Sequence, residues 1–512
     1  MLYDQDRRTR CILAGAIVCV ATMLFCLLAV VPRADARDGN DDEGTIFTLW
    51  PLVDYRSSPR DGFKNLSLFG PLFKFQVKGE DDDLAVRPLF YRRTNDRNGT
   101  ASTDYLYPLA GSDTAPESSS FQFLKLLQTK SFRTDEPKNR EESSMFFPFY
   151  IKGESKKYGP YTSVFPFYGD IYERFWRDEY HYVLFPLYGR TVKGGTTSTN
   201  VLYPVFNVVS GEQESGFGVW PLYGQAAKEG VYRRRFVLWP IFMSEAKELN
   251  TDHPSSRLYV FPFYAASDSP QRSSRYYLWP FMGYASDNVR KEETKDYFWP
   301  FWWTVRGESR NATSFLPFYS IDRGKETVRR WVLWPLYHYD EIASALFREE
   351  QDRLLYFLYR DDREVWPKDG ASRRKTALWP LFVYRRDVSG VKSFGFPAPV
   401  EPVLDKEGIE RSWAPFWRIY QQRWNDRGDS AASLLWNLYW HEARDNALAF
   451  ELFPLLSYRA EERLFDVSFL KGLVRYRDRG GEKRLSLFWL PFGFDWGARA
   501  ATQTVTVTGE KR

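Results

Sequence analysis

The sequence predicts an all-β fold, an antiparallel meander of about 24 short strands built on a repeat of about 19 residues. Three observations carry that expectation. A phrase of two apolar residues, an aromatic, proline, an apolar residue and an aromatic recurs along almost the whole chain. Polar turn residues stand between its copies. A proline at the centre of every apolar run excludes helix.

The phrase reads Val183-Leu184-Phe185-Pro186-Leu187-Tyr188, Val237-Leu238-Trp239-Pro240-Ile241-Phe242 and Val332-Leu333-Trp334-Pro335-Leu336-Tyr337. Twenty copies keep the proline, and four more, such as Leu434-Leu435-Trp436-Asn437-Leu438-Tyr439, are recovered from spacing alone. Pro51 and Pro491 lie 440 residues apart and bracket 23 intervals, which gives the period of about 19. Each copy follows a charged approach, such as Tyr232-Arg233-Arg234-Arg235-Phe236, and leads to a polar loop with turn chemistry: Asn98-Gly99, Gly194-Gly195 or Asp478-Arg479-Gly480. Read as strands, the runs carry apolar residues on both faces, so lipid or protein must cover both sides. Eight residues at about 3.3 Å span about 26 Å, the height of the apolar band of an outer-membrane barrel. The expectation is therefore a large closed β-barrel, with a soluble β-repeat array or propeller as the alternative. Each proline removes a ladder donor, so the prolines must stand at bulges, at edges or beside water.

Residues 1–36 read as an export signal. Arg7, Arg8 and Arg10 precede an apolar stretch from Cys11 to Val31, and Ala34-Asp35-Ala36 offers a cleavage site. The stretch is also long enough to remain as an anchor. An acidic linker occupies 37–46, the repeat domain 47–497 and a polar tail 498–512. All three cysteines (Cys11, Cys19 and Cys26) fall in the signal, so the mature chain holds its fold without disulfides. Lys and Arg number 71 against 66 Asp and Glu, mixed throughout, and no basic stripe marks a nucleic-acid partner.

Little in the sequence points to catalysis, a cofactor or a metal. His181, His253, His338 and His441 stand at no metal-ligand spacing, and neither a nucleophile elbow nor a phosphate-binding glycine loop occurs. The insertions at 129–145 and 399–411 break the rhythm and are candidate sites of specific function. Exposed aromatics can stack on sugars, and Trp299, Trp302, Trp303, Trp436 and Trp440 are the candidate glycan-stacking residues. The expectation is a non-catalytic, exported β-repeat protein of the outer membrane with a structural or pore role. The alternative is a periplasmic or surface protein that binds an envelope glycan or a protein.

Overall fold

The computed structural model describes residues 44–497 apart from 60–61, 133–140, 156, 405 and 491. The export segment, most of the acidic linker and the polar tail lie outside the described residues. The described chain is one antiparallel meander of 46 strands, numbered β1 (Thr45–Leu49) to β46 (Gly493–Trp496) in chain order, each paired with its sequence neighbours. Strand number is thus nearly double the expectation, because each repeat holds a hairpin rather than a single strand. The sheet is open in its hydrogen bonding: β1 pairs only with β2 (Val53–Ser58), and β46 only with β45 (Glu482–Leu487). A closed barrel is therefore not formed by the strand ladder.

The aromatic–proline phrase is a turn, not a strand core. Between β21 (Tyr232–Val237) and β22 (Phe242–Lys247), Leu238, Trp239, Pro240 and Ile241 close a tight turn in which the Ile241 N–H donates to the Leu238 carbonyl at 2.8 Å. The Trp239–Pro240 bond is cis, as are sixteen other motif bonds, placing proline at the third position of a type VI turn. The charged approach Tyr232–Val237 is itself β21. Alternating charge on its two faces had disguised it, while the continuous apolar run of the turn imitated a buried strand.

This placement answers where the prolines sit. The ladder does not stop at the turns but runs through them, from each turn to the next one on the same edge. Leu238 and Trp239 donate to the carbonyls of Leu222 and Pro221 in the preceding turn, both at 2.7 Å, and the Ile241 carbonyl accepts from Phe261 of the following one at 2.7 Å. The proline is the one residue of the turn from which no donor is needed, and in turns such as those of Pro186, Pro221 and Pro317 its carbonyl accepts from the following turn. The arrangement holds Leu184, Leu238, Leu278 and Leu333 at positive φ between 46° and 50°, a region that costs a leucine roughly 1–3 kcal/mol and persists where surrounding bonds over-determine it. On the opposite edge the turns are polar, and Gly194 and Gly195 supply the positive φ of 54° and 80° that a tight hairpin requires.

One face of the sheet is the more buried and can be followed by register through the whole molecule. It carries Ala226, Ala265, Ala285, Val305, Ala312, Ala377 and Val383. Glycines on this inner face make room for aromatic rings from the partner strand. A Cβ on Gly224, in β20 (Tyr223–Lys228), would stand 2.2 Å from the ring of its cross-strand partner Phe236, so the ring covers the glycine backbone. Gly189, in β16 (Tyr188–Lys193), occupies the same place in its repeat with nothing within 4 Å of a Cβ.

The contrast gives a paired prediction. Gly224→Val should destabilise the protein by about 1–3 kcal/mol by displacing Phe236, whereas Gly189→Val should stay within about 0.5 kcal/mol of wild type. Urea midpoints followed by tryptophan fluorescence separate the two, and equal costs would refute this account of the inner-face glycines.

Candidate functional site

Two features stand out once the elements are placed. The first is the edge formed by the motif turns. The copy at Pro415 lies in a short helix, but the described hairpin turns of the motif lie on one edge, and their side chains form an apolar rim interrupted by Arg87, Lys125 and Lys471. Leu222, Leu238, Phe263, Leu278 and Phe318 are 57%, 52%, 66%, 51% and 56% exposed. Rings preceding successive prolines touch along it: Phe165 to Phe185 at 5.6 Å, Phe185 to Tyr203 at 5.7 Å, Trp220 to Trp239 at 5.7 Å. Away from the rim the strands become charged. Arg233 and Arg235 share the outer face with Val237, while Arg234 shares the inner face with Phe236. Only the turn and the strand residue on either side of it, such as Val237 and Phe242, are consistently apolar, a band about 10 Å deep at 3.3 Å per residue.

The second feature is a seam where the inner face of the first strands meets the inner face of late ones. It joins β1, β2, β3 (Phe63–Leu68) and β4 (Phe73–Lys78) to β36 (Phe382–Arg386), β37 (Lys392–Phe396), β38 (Tyr420–Trp424), β39 (Ser430–Leu434) and β40 (Tyr439–Arg444). Side chains, not strand pairing, make the junction. Trp50 Nε1 donates to the Leu435 carbonyl at 2.7 Å, Asn437 Nδ2 to Asp54 at 2.9 Å, and Arg56 to Glu442 at 2.8 Å. Arg56 also lies 4.5 Å over the Trp440 ring.

The 399–411 insertion and the residues that follow it complete this seam with two short helices, α1 (Glu407–Ser412) and α2 (Ala414–Trp417), the second formed by the motif copy at Pro415. Arg411 of α1 binds Asp104 at 3.0 Å, and Trp413 Nε1 donates to the Tyr107 carbonyl at 2.7 Å. Glu401 is fully buried and accepts from Arg418 at 2.8 Å and from Trp417 Nε1 at 3.1 Å. Arg418, whose side chain is 10% exposed, also binds Glu410, while its Nε has no partner.

Between the two layers lies a cavity of about 560 Å³. Its lining holds six cations, Arg56, Lys74, Arg87, Arg385, Arg418 and Arg423, against three carboxylates, Asp54, Glu410 and Glu442. Each carboxylate is already held by arginine: Asp54 and Glu442 by Arg56, and Glu410 by Arg418 and Arg385. Arg87 gives Nε to the Arg411 carbonyl at 2.6 Å and Nη1 to the Pro71 carbonyl at 3.0 Å, which leaves Nη2 uncommitted among the described residues. Lys74 makes no ion pair among the described residues. Burial first, and then the Arg87 guanidinium, press its ammonium down from 10.5 to about 8, with Asp83 acting the other way.

The candidate tryptophans do not form one site: Trp299 and Trp303 line a single inner-face cavity with Trp279 and Tyr276, and Trp436 and Trp440 lie in the seam. Trp299 and Trp302 are each 46% exposed, but Trp302 and Trp303 are neighbours in β28 (Trp302–Gly307) and face opposite sides of the sheet. Trp302 stacks on Tyr297 at 4.6 Å. Trp436 reaches the seam cavity, with Nε1 bound to the Pro415 carbonyl at 2.8 Å, and Trp440 is buried beneath Arg56. Among the described residues no three His, Cys, Asp or Glu side chains cluster as a metal site. His181 binds Asp170 at 2.6 Å, and buried His338 stacks on Trp331 at 3.7 Å. No protein-family model matches the chain, and no curated protein matches it.

Lys74, Arg87, Glu401 and Arg418 were not singled out by sequence reasoning. One sign was legible, because Arg87 takes the slot before Pro88 where the repeat calls for an aromatic.

Lys74 also gives a pH prediction. Between pH 8 and 10.5 the unfolded chain holds a proton that the folded chain has released, so this group adds stability as pH rises through that window. Below pH 8 the buried ammonium costs about 3 kcal/mol. Lys74→Met should therefore be the more stable protein at pH 7 and lose its advantage by pH 10. Urea titrations of both proteins at the two pH values check this, and a variant less stable than wild type at pH 7 would refute it.

Proposed function

We propose that this chain is an exported, non-catalytic scaffold of the cell envelope that rests on a membrane surface by its apolar rim. The rim is the observation that carries the reading: a long row of exposed leucine, phenylalanine and tryptophan side chains on one edge. Its depth of about 10 Å matches the 5–10 Å to which interfacial elements enter a bilayer. Two residues beyond the rim, on the same outer face, Arg235 follows Val237, Arg275 follows Tyr277 and Arg330 follows Val332. Cations at that height complement anionic lipid headgroups. The apolar stretch from Cys11 to Val31 supports the same reading, since it brings the chain to a membrane during export or as an anchor.

A pore-forming barrel has less support than a rim-docked scaffold. A spanning barrel needs an outer band about 25 Å tall that is free of charge, and Arg233, Arg234 and Arg235 place guanidinium groups on both faces at mid-height. Edge pairing of β1 with β46 would be required as well, whereas Arg459 donates to the Gly44 carbonyl at 3.0 Å and so holds the chain before β1 against β42 (Leu456–Glu461).

Vesicle flotation tests the proposal. The protein should float with vesicles of phosphatidylcholine and phosphatidylglycerol. The triple variant Leu238→Glu, Phe263→Glu and Phe318→Glu should lose binding by about tenfold or more per residue, the equivalent of about 1.4 kcal/mol each. Recovery of the wild type as a soluble protein that does not float would overturn the reading.

A further inference from the structure

We infer that the seam cavity is a binding site for a phosphorylated sugar, with the phosphate held between Lys74 and Arg87. The site goes beyond the rim, because it lies between two layers of the inner face and its argument needs no membrane.

Uncompensated cations are the starting point. Once the three carboxylates of the lining are assigned to their arginines, Lys74 and Arg87 are the half-buried cations without a carboxylate partner among the described residues, while Arg423 is exposed. Arg418 Nε and Arg56 Nη2 are buried donors without acceptors in the same cavity wall. Buried cations and unfilled donors each cost free energy unless an anion meets them. A phosphate is the economical answer, since it carries close to two charges and several acceptor oxygens and suits both lysine and arginine. Lys74, opposite Ala85 in the strand ladder, and Arg87, two residues further on, line the same cavity.

Size and wall chemistry extend the ligand beyond phosphate. A cavity of about 560 Å³ falls in the range of small-molecule sites, far larger than one phosphate needs. The walls away from the cations carry the amides of Asn65, Gln76 and Gln421 and the rings of Trp50 and Trp436. Amides that both donate and accept, beside aromatic surface, suit a polyol ring. The two indole N–H groups are spent on the seam itself, so these tryptophans offer surface and not hydrogen bonds.

The sugar phosphate can be free or can be the headgroup of a lipid, and calorimetry with three probes separates the cases. Glucose 1-phosphate binding in solution supports a free ligand. Binding only to phosphatidylcholine vesicles doped with lipid A, beyond that to undoped vesicles, supports a lipid-borne one. In either case Lys74→Met, a fold-preserving change, should weaken binding by about tenfold or more, the loss expected for one charge-assisted hydrogen bond. Lys78→Met, on the same strand but outside the cavity lining, should leave binding unchanged. Inorganic phosphate binding as tightly as glucose 1-phosphate would overturn the sugar assignment. Absence of binding to all three probes, or equal binding by Lys74→Met, would overturn the site.

Discussion

Every part of this molecule depends on how its turns satisfy their backbone. An edge turn in a long sheet normally leaves N–H and carbonyl groups to water. Here the groups are passed from one motif turn to the next, as Leu238 and Trp239 do with Leu222 and Pro221. The ladder therefore extends to the very tip of each hairpin. With the backbone satisfied internally, the side chains at the tip need no water and can all be apolar. Proline fits because it lacks the one donor that such a turn would leave over. The rim and its aromatic contacts follow from that single arrangement.

The polar opposite edge and the apolar rim give the sheet a gradient along its strands rather than across its faces. Most β-proteins separate apolar from polar by face, and their strands alternate accordingly. In this chain both faces carry charge at mid-height and both become apolar toward the rim. Burial on the inner face is reached with small residues and ring-over-glycine pairs such as Phe236 on Gly224, so strands can curve inward without a large hydrophobic core. Where the curvature brings the inner face back upon itself, ion pairs and indole hydrogen bonds join the layers, because the residues available there are those of a polar face.

Much of the architecture was legible in the sequence. The period, the all-β class and the glycine turns came directly from the residues, because they are local. The position of the motif was misread for a physical reason: a run such as Val237-Leu238-Trp239-Pro240-Ile241-Phe242 satisfies every criterion of a buried strand except its proline. That exception was the informative part. Taking the proline as fatal to a ladder position would have moved the phrase to a turn and turned Tyr232–Val237 into a strand. The seam was not legible, since it joins residues more than three hundred positions apart, such as Arg411 and Asp104. Its only local traces are Arg87 before Pro88 and the interruption of the rhythm at 399–411.

The hairpins of the middle of the sheet bond only to their immediate neighbours, so their number is free in a way that the number of strands in a closed barrel is not. Gain or loss of one 19-residue unit would leave each remaining unit with the same local surroundings. The seam removes that freedom. Trp50 must find Leu435, Arg411 must find Asp104, and the distance around the sheet between them is set by how many hairpins intervene. The seam thus acts as a gauge of chain length: it converts a repeat that could be copied indefinitely into an object of defined circumference.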